Sequence, residues 1–170
     1  MTLKTTLVAL ASLMVMGCGE YVLEDGDYAL KDAQLASGTS TDTCGILDLF
    51  KDPARRVGIT ASGDTVTFDF TRATPVDPDT LSTATLSANL LSPQTEANFA
   101  ATFPDQNNVV RCVARIHRSV EGEVTADNTA TLSLTVSADT ETGTTCDIDY
   151  SLFAVHPCTT TYQFVATKTP

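Results

Sequence analysis

Tryptophan is absent from this chain, and histidine occurs only twice, at His117 and His156. Aromatic residues are few, and no basic–aromatic stripe offers bases a surface to stack on. Basic side chains are also scarce, 10 against 21 acidic ones. That balance repels nucleic acid and anionic lipid head groups, so neither is an expected partner. There is no glycine-rich phosphate loop, no Gly-x-Ser-x-Gly elbow and no Cys-x-x-Cys pair. These absences leave nucleotide cradling, elbow-type acyl hydrolysis, and zinc or thioredoxin-like chemistry without a motif. Apolar residues at long helical period are missing too, which argues against a helical body.

What is present begins at the N-terminus. Lys4 is the only charge before Glu20, and Leu7–Met16 runs uncharged. Such a run has the length of a signal-peptide core. It falls short of the roughly 18 apolar residues that a membrane-crossing helix needs. The segment ends Val15-Met16-Gly17-Cys18. This resembles the lipobox of bacterial lipoproteins, with a hydrophobic residue three places before the cysteine and a small one just before it. The resemblance covers about the first twenty residues. It implies cleavage before Cys18, lipidation of Cys18, and stable anchoring by two or more acyl chains such as palmitate. Gly19, where an aspartate would retain an enteric lipoprotein in the inner membrane, implies the outer membrane. The expected organisation is a signal peptide over 1–17, a lipidated tether over 18–26 and one domain over 27–170.

Cleavage there leaves nine basic and 21 acidic residues, a net charge of about −12, on a chain long enough for one cored domain. Five cysteines are an odd number. Lipidation of Cys18 leaves Cys44, Cys112, Cys146 and Cys158, an even set that reads as two disulfides in an exported protein. Three pairings are open. If Asp127-Asn128 is a two-residue turn, Cys112 falls near Cys146, which favours 112–146 together with 44–158.

The body alternates with period two. Val66, Phe68 and Phe70 alternate with Thr65, Thr67, Asp69 and Thr71, and Leu132, Leu134 and Val136 alternate with threonine and serine. Similar patterns cover Val109–Val120, residues 148–154 and 162–166. Weaker ones cover Tyr28–Ala36, Val57–Ala61, Leu81–Leu91 and Ala97–Phe103. Turn signals separate them, including Ser62-Gly63-Asp64 and Ser92-Pro93. A helical turn is expected at Cys44–Phe50, capped by Asp42 or Thr43 and limited by Pro53. The fold class is all-β, a single antiparallel barrel or sandwich of about eight strands. Gly26-Asp27-Tyr28 resembles the Gly-x-Trp start of lipocalins, with tyrosine in place of tryptophan. That resemblance implies a barrel and a small apolar ligand.

No residue set specifies a reaction. His117 lies on the polar face of its strand and His156 precedes Pro157 in a turn, and no serine is tied to either. Asp147 with Asp149, Asp77 with Asp79, and Asp139 with Glu141 are carboxylate pairs, but none fits a calcium loop. No metal or other cofactor is expected. Arg111, Arg115 and Arg118, with His117, form a local basic cluster. Arg111, Arg115 and His117 are its candidate ligand or partner contacts, against the alternative of salt bridges to Glu121 or Glu123. The expected function is a non-enzymatic binding or interaction module in the cell envelope. Its partners are the membrane, through the N-terminal lipid, and an envelope protein or small apolar ligand. The alternatives are a lipocalin-like carrier, and a secreted hydrolase or a protease inhibitor presenting Val155–Cys158.

Overall fold

The structure is a computed structural model. It describes residues 20–70, 81–104, 110–140, 149–150, 153–154 and 157–170, with backbone alone at 97–104, 110–112, 114, 140, 149–150 and 153–154. The strands are β1 (Gly26–Leu35), β2 (Arg56–Ser62), β3 (Thr65–Asp69), β4 (Ser82–Ser87), β5 (Leu90–Thr95) and β6 (Ala97–Pro104). They continue as β7 (Val110–Ala126), β8 (Thr129–Thr140), β9 (Asp149–Tyr150), β10 (Phe153–Ala154) and β11 (Cys158–Lys168), with one short helix among the described residues, α1 (Leu47–Lys51).

The main sheet runs β5-β4-β3-β2-β1-β11-β8-β7-β6, and β5 also pairs with β7. The sheet therefore closes into a ring of eight antiparallel strands. Strands β5 and β6 follow one another along β7, separated only by Glu96. Around the ring each strand then neighbours the next one in sequence, and β11 returns to β1. Closure leaves the ring strands without free edges along their paired lengths.

Alternation places the core inside. On β8, Leu132, Leu134 and Val136 are buried while Thr131, Ser133, Thr135 and Ser137 are half exposed. On β11, Thr160, Tyr162, Phe164 and Ala166 face inward. Val66, Phe68 and Phe70 join them, as the period-two reading requires. Gly122 marks a close approach of β7 to β8. A Cβ there would sit 2.2 Å from the Thr131 carbonyl oxygen.

Two strand expectations are corrected. Leu81–Leu91 is not one strand but a hairpin of β4 and β5, turning at Ala88 (φ 47°) and Asn89 (φ 69°). Two consecutive left-handed residues make the turn type whose twist matches a hairpin. Pro93, read as a turn, pairs with Ala84 inside β5. It is tolerated because β5 pairs with β7 only at Leu90 and Leu91, so its missing N–H breaks no ladder there. Residues 148–154 are likewise not one strand: β9 and β10 form a small separate hairpin with Tyr150 opposite Phe153.

The ring has two different ends. At one, here the upper, the segment before β2 folds over the opening. Asp42 accepts the N–H groups of Gly45 and Leu47 at 2.8 Å each, and the Tyr162 hydroxyl donates to it at 2.5 Å. The helical turn expected at Cys44–Phe50 begins three residues later, as α1, and its N-cap residue is Ile46 rather than Asp42 or Thr43; Asp42 instead reaches in from upstream to take the N–H of Leu47, the first helical residue. Phe50 is buried, with its ring centroid 5.3 Å from Tyr162 and 5.7 Å from Phe164.

At the lower end lie the Gly63-Asp64, Ala88-Asn89 and Asp127-Asn128 turns and the chain's last residues. Ala126 pairs with Thr129 across the last of these turns, as read from sequence. The stretch expected to be a tether is, from Glu20 onward, docked across this end. Tyr21 N–H donates to Asn89 Oδ1 (2.8 Å), Val22 N–H to Asp127 Oδ1 (3.1 Å) and Glu24 N–H to Asn128 Oδ1 (2.9 Å). Lys168 bridges to Glu24 at 2.6 Å and holds its carboxyl below the usual range. Leu23 is buried in the core. Apolar burial and captured backbone donors make this a strap rather than a tether.

Candidate functional site

Strand β7 carries the basic cluster read from sequence, and its pleat splits that cluster. Ile116, Arg118, Val120 and Val124 point inward, while Arg115 and His117 lie on the outer face. Arg118 is thus separated from the outer pair by the sheet itself. The register sets Arg115 opposite Asp139 and His117 opposite Ser137. Glu121 and Glu123 lie further down β7, opposite Ser133 and Thr131, so Asp139 is the cross-strand acid for Arg115. Arg111 lies on β7, but its side chain is outside the described residues.

Arg118 is the charged side chain found buried among the described residues. Burial lowers its guanidinium to about 10, so it stays a cation at neutral pH. Beside it, the Ser82 hydroxyl donates to the Arg118 carbonyl at 3.4 Å. An arginine donates hydrogen bonds and holds charge but does not relay protons near neutrality. The position can orient an anionic group and cannot serve as a general base.

Cys44 and Cys158 are joined, with Cα atoms 5.2 Å apart across 114 residues of chain. The bridge ties the upper segment to the first residue of β11. Around it the Thr43 hydroxyl meets Thr160 Oγ1 at 2.9 Å, and the Cys44 N–H donates to the same oxygen at 3.2 Å. Thr160 is a buried polar residue accounted for by these bonds. The Tyr162 hydroxyl is pushed well above the ordinary phenol range by burial, and further by the Asp42 carboxylate.

Of the other sequence candidates, Cys112 lies on β7 opposite Phe103 with its side chain undescribed. Cys18, Cys146, His156, Asp147, Asp77, Asp79 and Glu141 lie outside the described residues. Asp149 is placed by backbone only, in β9. Among the described residues no three His, Cys, Asp or Glu side chains gather as a metal site. No helix there is long and apolar enough to cross a membrane.

Two outer depressions stand out. One, of about 460 Å³, lies on the wall between Leu90, Ser92, Glu121, Glu123, Ser133 and Gln163. The other, of about 420 Å³, lies at the lower end between the strap residues Glu20 and Tyr21 and the turns at Asp64 and Asn89. Sequence reasoning missed the strap and its captor, Asn128. This residue has φ 56°, accepts the Tyr28 hydroxyl at 3.1 Å, and donates its own N–H to the Val22 carbonyl at 2.7 Å. The detectable signal was the Asp-Asn turn, whose side chains satisfy nearby backbone donors. Compared with known protein families, curated proteins and solved structures, the chain gives no match.

Proposed function

We propose that the chain is an envelope lipoprotein, cut before Cys18 and held on a membrane by lipid on that cysteine. Its barrel-like domain serves as a non-enzymatic binding or interaction module. The observation that carries this reading is the seating of Tyr21–Glu24, the stretch that begins three residues after the lipobox cysteine, by hydrogen bonds to the lower-end turns. An anchor at Cys18 would therefore hold the whole domain directly.

Contact through the outer surface and the upper end is favoured over carriage inside the ring. Phe68 stacks near Phe70, Phe70 meets Phe164 edge-on, and Phe164 stacks near Phe50, so a chain of rings occupies the interior. Metabolic labelling with radioactive palmitate tests the anchor. Wild-type protein should incorporate label and fractionate with membranes, and Cys18→Ser should do neither. Equal labelling of the two proteins would refute the reading.

A further inference from the structure

Four large hydrophobic side chains are exposed among the described residues: Tyr21, Val22, Leu81 and Leu90. Three of them gather at the lower end. Tyr21 and Val22 belong to the strap, 42% and 57% exposed. Leu90, 56% exposed, follows Asn89, whose side chain accepts the Tyr21 N–H. Asn89 also accepts the Val124 N–H through its carbonyl at 2.7 Å, so this corner is fixed rather than loose. The strap is therefore held with its backbone satisfied and with Leu23 turned into the core. Tyr21 and Val22 are left facing out.

From the lower end the chain leads back to Cys18. One residue, Gly19, lies between Cys18 and Glu20, and the two steps span at most about 7 Å of extended chain. A lipid on Cys18 with so short a leash cannot leave the lower end far from the head groups. A tyrosine beside aliphatic side chains is the composition that settles at a membrane–water interface, apolar body inward and hydroxyl in the wet layer.

We propose that the lower end is the membrane-contacting face, with Tyr21, Val22 and Leu90 seated in the interfacial layer of the bilayer that holds the anchor. This placement rests on the lipoprotein reading. It directs the opposite end, with α1 and the Cys44–Cys158 bridge, away from the membrane as the face that meets partners. The charges around the contact choose the lipid. Glu20, Asp25, Asp64 and Asp127 are acidic, and Lys168 is paired to Glu24. The contact therefore fits zwitterionic head groups and is weakened by anionic ones.

The absence of tryptophan makes the test clean. Mature lipidated protein carrying Tyr21→Trp, or Asp48→Trp at the far end, is reconstituted into phosphatidylcholine vesicles with brominated acyl chains. The Asp48 side chain is 92% exposed, so a reporter there disturbs little. Trp at position 21 should emit at shorter wavelength and be quenched roughly twofold or more relative to Trp at position 48. Added phosphatidylglycerol should reduce that quenching. Mass analysis of the same samples reads acylation of Cys18, and flotation reads vesicle binding. Protein that is acylated and floats, yet shows equal quenching at the two positions, overturns the placement and leaves the anchor standing. Protein without acyl groups overturns the anchor and the placement with it.

Discussion

Removing the Cys44–Cys158 bridge should cost several kcal/mol while leaving the domain folded. The loop it closes spans 114 residues. Loop-closure entropy for that length restricts the unfolded chain by about 5 kcal/mol at 25 °C. If Cys112 and Cys146 are also bridged inside the loop, its effective length shortens by about 34 residues and the figure drops by only about 0.3 kcal/mol. The folded side of the balance changes less. Asp42 still receives the Tyr162 hydroxyl, Thr43 still meets Thr160, and Phe50 still packs on Tyr162 and Phe164. Alanine suits the substitution better than serine, because Cys44 is fully buried and a hydroxyl there would need a new partner.

The double variant Cys44→Ala, Cys158→Ala is therefore expected to lose about 3–5 kcal/mol. With a urea m-value of about 2 kcal/mol/M, its midpoint should fall by about 1.5–2.5 M. Far-ultraviolet circular dichroism in buffer should match the parent, and the m-value should rise, because the unbridged unfolded chain is less compact. A midpoint within about 0.3 M of the parent would refute the reasoning. It would mean either that the unfolded chain is already restricted or that the bridge strains the fold by as much as it constrains the coil.

Three further outcomes follow from single positions. Gly122→Ala places a methyl 2.2 Å from the Thr131 carbonyl, so β7 and β8 must part; a loss of about 2–3 kcal/mol is expected in urea melts, and a neutral result would show that the strands separate freely. Asn128→Gly keeps the left-handed turn but removes the side-chain bonds to Glu24 and Tyr28, whereas Asn128→Ala also strains the backbone at φ 56°; both should speed amide exchange at Glu24, and alanine should be the less stable by about 1 kcal/mol. Alkaline pH should destabilise the domain. Burial pushes the Tyr28 phenol up to about 12, and Tyr162 is raised further. The unfolded chain gives up those protons first, so this stabilisation is full below about pH 10 and is lost as pH rises through the folded values. Thermal melts from pH 8 to 11 should show Tm falling from about pH 10, less steeply in Tyr162→Phe, and a flat profile in the parent would refute the assignment.

The ring was legible because its signal is local and repeated. One residue in two is apolar along β3, β8 and β11, and that pattern suffices to bury Phe68, Leu134 and Phe164 together. The Asp127-Asn128 turn was legible because it fixes its register within its own hairpin. The β4–β5 turn was not. Ala88 carries no left-handed preference, and Pro93 reads as a breaker wherever the ladder beside it is unknown. Whether a strand tolerates proline depends on its neighbour, which here is β7, some thirty residues away.

The strap and Arg118 show two different limits. The bonds that seat the strap join residues 68 to 105 positions apart and run from backbone N–H groups to single turn side chains. No periodic pattern records a contact of that kind, so the segment before Gly26 reads as polar linker. Arg118 is the opposite case, because its signal was present. Counting by twos from Ile116 puts residue 118 inside, whatever its charge. Grouping it with Arg115 and His117 followed charge rather than parity, and the pleat decides by parity. A cation at an inward position breaks the binary pattern of an otherwise apolar wall, and such breaks concentrate where a protein does something other than fold. Parity therefore outranks charge in deciding which side of β7 a residue takes, and it carries Arg118 into the interior beside Ser82.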